Sequence, residues 1–347
     1  MVKLALSIGY SGAHLELPVA RVQRAEALGY DSVWTAEAYG SDAFSPLAYL
    51  AAVTRRIRLG TGIIQLAART PANAAMTAAT IDALAGGERM LLGIGVSGPQ
   101  IVEGWYGQPW GHPVPRMRDY VAIIRKILAR EAPVTHAGPE ISLPYQGPGA
   151  LGLAKPLKSI LHMNPRIPVY LGTGAEASVR LTGEIADGWL PLGFVPGSLP
   201  EYLPWLEQGF TRAGGGKSLK DLDIVASVHV HVHADVKAAL AALKPEVALY
   251  VGGMGARGKN YHKDLMTRRG FGDAAARIQE LYLAGRKDEA AAAVPDEWVD
   301  QKSLVGPRAR IVERFRAWAD SGATTVCVRS HQDEAIEIVA EAARRHG

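Results

Sequence analysis

The residues whose types and spacing best suit chemistry lie in residues 168–191, which read PVYLGTGAEASVRLTGEIADGWLP. PVYL is a short apolar run typical of a strand, and the turn Gly172-Thr173-Gly174 follows it directly. From Ala175 onward apolar residues recur at helical spacing, so the turn leads into the amino terminus of a helix. Free backbone N–H groups at such a terminus favour an anion, and phosphate is the natural ligand. The alternative is an ordinary strand-to-helix turn without a ligand.

This turn differs from a dinucleotide-binding fingerprint, because the third glycine is missing and no acidic residue lies at a convincing ribose-binding position. The only carboxylate expected near the predicted strand ends is Glu37. Glu37 could accept a hydrogen bond from a flavin-like ring or carry a proton, or it could be a solvated loop charge or a helix-terminal carboxylate. No serine triad, carboxylate pair or cysteine-rich group accompanies it. Such a site suits a cofactor that supplies its own reactivity.

Two further stretches are candidates for ligand contact. The run Gly62-Ile63-Ile64-Gln65 follows a predicted strand and allows an unusual backbone on which a flat ring could rest, although a tight turn is the simpler interpretation. In a long loop, Trp105 and Tyr106, together with Trp110, could pack over a substrate or anchor the loop.

Histidines 229, 231 and 233 alternate along a predicted strand and so share one face, but alternate strand residues lie ~7 Å apart, which is wide for ligating one metal. We expect polar strand residues near the site and no metal. The single cysteine, Cys327, excludes an internal disulfide and is predicted to be a buried strand residue.

Strand and helix patterns alternate along the whole chain, which predicts a parallel sheet with right-handed crossovers. Eight such units indicate a single α/β domain, a (β/α)8 barrel over residues 1–347, with insertions after strands 4 and 7. The irregular segments are a rim loop at 97–116, an excursion at 137–167 and a helical insertion at 253–305. The predicted strands are residues 3–8, 31–35, 57–65, 90–96, 169–171, 188–192, 224–233 and 324–329.

The 347 residues are 48% hydrophobic and 21% charged, with a formal net charge of +4. This balance is typical of a globular domain. No apolar run reaches the ~18 residues that cross a bilayer, and no signal-peptide cleavage site is recognisable, so we expect a cytoplasmic protein with no membrane contact. Basic residues are scattered without interleaved aromatic residues, so we expect no nucleic-acid partner.

The chain resembles the luciferase-like monooxygenase superfamily, within it the branch that uses the deazaflavin coenzyme F420 and includes methylenetetrahydromethanopterin reductase. The resemblance covers nearly the whole chain and depends on the order and spacing of several stretches. These are GYDSVWTAEAYGSDAFSPLAYLAA, RIRLGTGIIQLAARTP, ATIDALAGGERMLLGIGVSGPQIVEGWYG, GTGAEASVRLTGEIADGWLP and SLVGPRARIVERFRAWADSGATTVCV.

The resemblance implies an F420 groove at the carboxyl ends of the strands. Residues Gly172, Thr173, Gly174 and Ala175 would hold the coenzyme phosphate through backbone N–H groups. Residues 62–65 match the place where such enzymes carry a non-proline cis peptide behind the ring, and Gly62–Ile63 is the expected bond. On the reacting side the resemblance places Glu37, Tyr39, Gln65 and Ser97. The acidic coenzyme tail would lie near Arg257, Lys259 and Lys263.

Many F420-dependent relatives carry Asp-His where this chain has Glu37-Ala38. The missing histidine disfavours sugar phosphates and alcohols as the small-molecule substrate and favours an activated C=C or C=N bond. The alternatives are a two-component FMN-dependent monooxygenase and a non-catalytic F420- or flavin-binding protein. The resemblance also implies a homodimer.

Overall fold

Parallel strands alternate with helices and close into a barrel in the computed structural model, which describes residues 2–255 and 258–346. The strands are β1 (Lys3–Gly9), β2 (Ser32–Thr35), β3 (Arg58–Thr61), β4 (Ile64–Gln65), β5 (Met90–Gly95), β6 (His136–Ala137), β7 (Ser142–Leu143), β8 (Val169–Thr173), β9 (Gly188–Pro191), β10 (Asp223–Val232), β11 (Ser303–Gly306) and β12 (Thr325–Arg329).

The α-helices follow the strands and cover the outside of the barrel. They are α1 (Val19–Ala27), α2 (Phe44–Val53), α3 (Pro71–Leu84), α4 (Pro99–Gly104), α5 (Pro113–Ala129), α6 (Glu176–Ile185), α7 (Leu199–Ala213), α8 (Val236–Ala248), α9 (Tyr261–Met266), α10 (Gly272–Leu283), α11 (Lys287–Ala292), α12 (Asp296–Asp300), α13 (Arg308–Ala319) and α14 (Asp333–Arg345). A 3-10 turn (Leu219–Asp221) and two π-helical turns (Leu249–Gly253 and Thr267–Phe271) complete the helical elements of the described residues.

Barrel closure depends on β10, the longest strand. Neighbouring strands run in the order β12, β1, β2, β3, β5, β8 and β9, and β10 pairs with both β9 and β12. The first and last strands, β1 and β12, also pair in parallel, and their register begins with Lys3 opposite Thr325. The predicted (β/α)8 barrel is therefore confirmed, and β11 is an additional strand on the upper half of β10.

The interior of the barrel is filled only in its lower part. Inward-facing side chains from six strands pack into a buried floor, in which the rings of Trp34 and Tyr170 meet edge to face at 5.2 Å. The members of the floor are Ala5, Trp34, Leu91, Tyr170, Val225 and Cys327. Ser227 shares the inward face with Val225 but is exposed, so the interior opens to solvent above the floor.

Cys327 is fully packed in this floor, as the sequence predicted. Burial raises the pKa of its thiol to about 12. A thiol in that state is not a nucleophile at neutral pH.

Three predicted boundaries are wrong. The predicted strand 57–65 is two strands, β3 and β4, because the chain turns at Gly62 and Ile63. The rim loop 97–116 contains α4 and the start of α5, each opened by a proline in its first turn. The insertion 253–305 ends in β11, whose apolar run SLVG pairs with β10 instead of continuing the helices.

The helical insertion has a hydrophobic cluster of its own, formed by α8 to α12 and by Val305 of β11. The excursion at 137–167 takes part in the short β6–β7 hairpin and is otherwise irregular. Of the described helices, none is long and apolar enough to cross a membrane.

Helices α6 and α7 pack unusually closely, which fixes α6 against the barrel. A Cβ atom on Gly209 of α7 would lie 2.2 Å from the carbonyl oxygen of Arg180 and 2.8 Å from the amide nitrogen of Glu184. A Cβ atom on Gly183 of α6 would lie 2.5 Å from the carbonyl oxygen of Leu206. Only glycine allows these backbones to approach so closely.

We expect Gly209→Ala to lower the free energy of unfolding by about 1–3 kcal/mol, because the added methyl group meets backbone atoms that cannot rotate away. Chemical denaturation measures this change. Gly104→Ala is the matched control, because a Cβ atom on Gly104 would meet nothing within 4 Å. Equal stability of the two variants would show that the helix contact is looser than described.

Candidate functional site

The amino terminus of α6 carries unpaired backbone donors at the carboxyl end of β8. Ala175, Glu176 and Ala177 are exposed. Ala175 is the residue that caps the helix, and no side-chain hydrogen bond is made to the helix terminus from this position. Among the described residues, the N–H groups of these three residues have no hydrogen-bond partner. These donors and the helix dipole make the terminus suitable for an anion.

The glycine that ends the preceding turn, Gly174, also makes room for a side chain of the helical insertion. A Cβ atom on Gly174 would lie 2.1 Å from the hydroxyl of Tyr261, which donates to the carbonyl of Leu192 at 3.0 Å. Thr173 is buried and its hydroxyl pairs with that of Thr182 at 2.8 Å. Tyr261 of α9 therefore packs over Gly174, and the exposed donors of the helix terminus are those of Ala175, Glu176 and Ala177.

Arg180 is a cation that the sequence analysis did not identify at this terminus. Its guanidinium forms an ion pair with Glu176, one helical turn earlier. Its Nε is buried and has no hydrogen-bond partner among the described residues. A basic residue at the fourth position after Glu176 was the available signal, since helical residues four apart are neighbours.

The predicted cis peptide is present between Gly62 and Ile63. The side chain of Ile63 lies in the barrel against two glycines: Cβ atoms on Gly95 and Gly172 would be 2.9 Å and 2.8 Å from its Cγ1 and Cγ2. Ile63 itself is only half-buried, so part of its surface faces the open interior. The next residue, Ile64, is fully buried in β4.

Glu37 lies beneath this bulge with both carboxylate oxygens bonded. Its Oε1 accepts from the backbone N–H of Gln65 at 2.8 Å, and its Oε2 accepts from the backbone N–H of Ala43 at 3.1 Å. The guanidinium of Arg69 contacts both oxygens, at 2.6 and 2.9 Å. Because the Glu37 side chain is 3% exposed, it positions backbone and does not face the interior as a free base. The sequence analysis did not identify Arg69.

Gln65 presents an unused acceptor at the same place. Its side-chain nitrogen Nε2 donates to the backbone carbonyls of Glu37 and Ala38 at 3.0 and 3.3 Å, which fixes the orientation of the side-chain amide. Its Oε1 is buried with no partner among the described residues. A buried acceptor without a donor is costly, so this atom suits a ligand N–H or O–H group.

The predicted contact residues on the rim occupy different environments. Tyr39 and Trp105 are 48% and 63% exposed, whereas the hydroxyl of Tyr106 reaches the carbonyl of Ala38 at 3.3 Å. Ser97 follows β5 with a left-handed backbone, φ 59°. Tyr106 thus ties the rim loop to the Glu37 segment, and Tyr39 and Trp105 remain free to meet a ligand.

Two of the three basic residues predicted for an acidic tail are already engaged. Lys263 donates to Oε1 of Gln279 at 2.7 Å, and Lys259 lies 5.1 Å from the ring centroid of Trp110. Arg257 lies outside the described residues. The contact of Lys259 with Trp110 joins the helical insertion to the rim loop.

A second group of polar side chains lies where β10 and β12 end. His229 and Arg329 are register partners on these strands, and both point inward. Arg329 donates to Oε1 of Glu246 at 2.9 Å, and Nε2 of His229 is 3.8 Å from Oε2 of the same carboxylate. The rings of Tyr250 and His262 meet at 4.8 Å nearby. Of these residues, the sequence analysis identified only His229.

Burial shifts the pKa of the ionisable side chains where β10 and β12 end. It lowers the pKa of both His229 and His262 to about 4, with the charge of Arg329 adding to the effect at His229 and that of Lys302 at His262. Both histidines are therefore neutral at pH 7. Burial alone would raise the pKa of Glu246, but its contact with Arg329, with a smaller effect of Lys302, lowers the pKa overall, so Glu246 is ionised.

The other histidines of β10 do not form a metal site. His231 stacks on His233 with ring centroids 6.3 Å apart, and His233 lies beyond the end of the strand. In residues 2–255 and 258–346, no three His, Cys, Asp or Glu side chains are grouped so that they could hold a metal ion.

The sequence of the barrel matches a known family. Residues 4–325 match the family model of the luciferase-like monooxygenases. The chain belongs to this family. A Mycobacterium tuberculosis protein, provisionally named a coenzyme F420-dependent oxidoreductase, is 45% identical over 345 residues, 98% of each chain.

Two further relatives share most of the length of the chain. A 5,10-methylenetetrahydromethanopterin reductase of Archaeoglobus fulgidus is 29% identical over 315 residues, which are 89% of this chain and 88% of that one. The solved structure of the coenzyme F420-dependent tetrahydromethanopterin reductase of Methanopyrus kandleri superposes with a TM-score of 0.80 at 23% identity, covering 99% of both chains. The second comparison establishes the barrel fold.

We expect Glu37→Gln to lower the free energy of unfolding by about 3 kcal/mol, because it leaves the Arg69 guanidinium without its buried counterion. Thermal or urea denaturation measures the loss. Glu280→Gln is the control, since Glu280 is 65% exposed and pairs with Arg277 on the surface, and its effect should stay within about 1 kcal/mol. A Glu37→Gln variant as stable as the control would contradict a buried ion pair.

We expect stability to fall as the pH drops from 7 to 5, because unfolding releases His229 from a site that lowers its pKa to about 4. The unfolded chain then binds a proton that the folded chain does not, which costs about 2 kcal/mol at pH 5. Denaturation of the wild type and of His229→Gln at both pH values measures the difference, with the exposed His162→Gln as control. Equal pH slopes in wild type and His229→Gln would contradict a buried neutral imidazole.

Proposed function

We propose that the chain is a coenzyme F420-dependent oxidoreductase that moves a hydride between C5 of the deazaflavin and a small organic substrate. The observation that carries this proposal is the set of free N–H groups at the start of α6, which lies two strands from the Ile63 bulge at the same end of the barrel. The 45% identity to the mycobacterial protein supports the choice of coenzyme.

The residues present fit such a coenzyme. Ala175, Glu176 and Ala177 would hold its phosphate through their N–H groups, and the buried Nε of Arg180 is a further donor. The half-buried side chain of Ile63 would support one face of the ring. The unpaired Oε1 of Gln65 would accept from a polar edge of the ring. When bound, F420 supplies the carbon that carries the hydride.

The arrangement of Glu37 supports a substrate that needs little proton transfer from the protein. Both of its oxygens are bonded to Arg69 and to backbone amides, so it holds the bulge in place as a positioning residue. The earlier prediction of a catalytic role for Glu37 stays untested. Reduction of an activated C=C or C=N bond therefore fits better than oxidation of an alcohol or a sugar phosphate.

The remaining rim residues complete the proposed site. Ser97, Tyr39, Trp105 and Tyr106 would shape the side from which the substrate approaches, with Tyr39 and Trp105 exposed enough to close over it. A homodimer and a cytoplasmic location stay predictions from the sequence.

Titration of the purified protein with F420 and with FMN, followed by fluorescence, tests the choice of coenzyme. We expect micromolar binding of F420 and much weaker binding of FMN. Tight binding of FMN with none of F420 would favour the two-component monooxygenase. Bound F420 without turnover of any enone, imine or alcohol would favour a binding protein.

The phosphate contact is tested with two substitutions at one position. Glu176→Pro removes one N–H group at the first helical position, where proline fits the extended backbone of Ala175, ψ 150°. Glu176→Ala keeps the N–H group and removes only the charge. We expect Glu176→Pro to weaken F420 binding about tenfold relative to Glu176→Ala, because it removes a charge-assisted hydrogen bond.

Binding of the phosphate-free deazaflavin is the second readout. It should be the same in the two variants, because the ring does not contact the start of α6 in this proposal. Equal F420 affinities of Glu176→Pro and Glu176→Ala would refute the phosphate site.

A further inference from the structure

A lysine at the wall between the barrel and the helical insertion has no counterion. Lys302 directly precedes β11, whose first residue, Ser303, is the register partner of His229 on β10. Its amino group lies 4.6 Å from the ring centroid of the buried Trp298. The backbone N–H of Lys302 donates to the carbonyl of Val299 at 3.1 Å, but its amino group has no hydrogen bond and no ion pair with the residues that the structure describes.

The nearby charges do not compensate this cation. Glu246 is the carboxylate that acts on Lys302, and it is already bonded to Arg329 at 2.9 Å. Arg269 on the other side adds a further positive charge. Burial lowers the pKa of Lys302 to about 8, with Arg269 adding to the effect, so the group is still mostly protonated at pH 7. Lys302 is half-buried, and a partly desolvated cation without a counterion is a common mark of a binding site.

The surrounding donors are neutral and reachable from the open interior. His229 and His262 are uncharged at pH 7, and the His229 side chain is 28% exposed. On the inward face of β10, His229 follows Ser227, which is exposed above the floor. His229 therefore lines the open interior of the barrel, and Lys302 is near enough for its charge to act on both histidines.

The end of β10 that carries His229 faces the proposed ring-binding surface. Around the barrel β10 is four strands from β3 in either direction, so it lies opposite the bulge that carries Ile63. A substrate that lies against a ring supported by Ile63 would extend toward β10. The start of α6, where the coenzyme phosphate would bind, is instead at the exposed edge after β8.

We propose that Lys302 binds a carboxylate group of the substrate, with His229 and His262 as neutral hydrogen-bond donors. This inference rests on the proposed function, because it names the substrate class of the same site. A monoanion matches the single uncompensated positive charge, whereas a phosphate dianion would bring more negative charge than Lys302 balances. The substrate is then an unsaturated acid or an imino acid rather than a neutral enone.

The acidic tail of the coenzyme is the other source of a carboxylate, and the experiment separates the two. The probes are benzoate and the neutral benzamide, which have similar shapes, titrated calorimetrically into the protein without coenzyme. We expect wild type to bind benzoate about tenfold more tightly than benzamide. Lys302→Met should abolish this preference, and Lys302→Arg should restore it.

The control variant is Lys287→Met, which removes an exposed lysine that also lies over an aromatic ring, that of Tyr282 at 5.7 Å. It should keep the preference for benzoate. Lys302→Met should melt at the same temperature as wild type or higher, because it removes an uncompensated buried charge. If Lys302→Met does not fold, Lys302→Gln, which has a neutral polar end, replaces it.

Three results would overturn the assignment. The first is equal affinity of wild type for benzoate and benzamide, and the second is an unchanged preference in Lys302→Met. The third is a Lys302→Met variant that binds F420 more weakly but the tail-free deazaflavin normally, since the coenzyme tail would then be the occupant. Failure of wild type to bind F420 would refute the proposed function alone, because the benzoate titration needs no coenzyme.

Discussion

The buried contact between Glu37 and Arg69 is the interaction on which the site depends. One carboxylate holds the loop after β2, the backbone that follows the Gly62–Ile63 bond and the start of α2. These are segments that strand pairing leaves free, because β3 ends at Thr61 and β4 begins only at Ile64. A charge-assisted bond thus fixes the bulge where the sheet cannot. The position of Ile63, and of anything that rests on it, follows from that contact.

Glycines on the inner surface of the barrel make room for the side chains that pack there. Gly95 and Gly172 leave the volume that the Ile63 side chain fills, and Gly174 leaves the volume that the Tyr261 hydroxyl fills. These glycines belong to two segments that are distant in sequence, the end of β5 and the end of β8 with the turn after it. Packing between segments is sufficient to require glycine at these positions. The bare amides for an anion lie one residue further on, in the first turn of α6.

The sequence predicted the fold well where local signals mark the ends of elements. The bounds of α3 and α7 are marked in the sequence itself, because each has a proline in its first turn and glycine soon after its last residue. Strand β11 was missed because SLVG is short and follows a helical stretch, so only its pairing with β10 makes it a strand. The cis bond at Gly62–Ile63 was predicted from the family resemblance.

The site was predicted less completely, for a physical reason. Arg69, Glu246, Lys302 and Arg329 become neighbours of site residues only through tertiary packing, and no spacing in the sequence marks them. Of the histidines near the site, His229 was noticed because of the alternation on β10. His262 has no such pattern around it.

The pairing of β1 with both β2 and β12 has a consequence for how the molecule is made. During synthesis on the ribosome, β1 emerges early, but its second partner is translated only after more than three hundred further residues. Until then one edge of β1 presents unpaired amide and carbonyl groups, which other chains can add to. The barrel therefore cannot close, and this edge stays open to other chains, until β12 has left the exit tunnel.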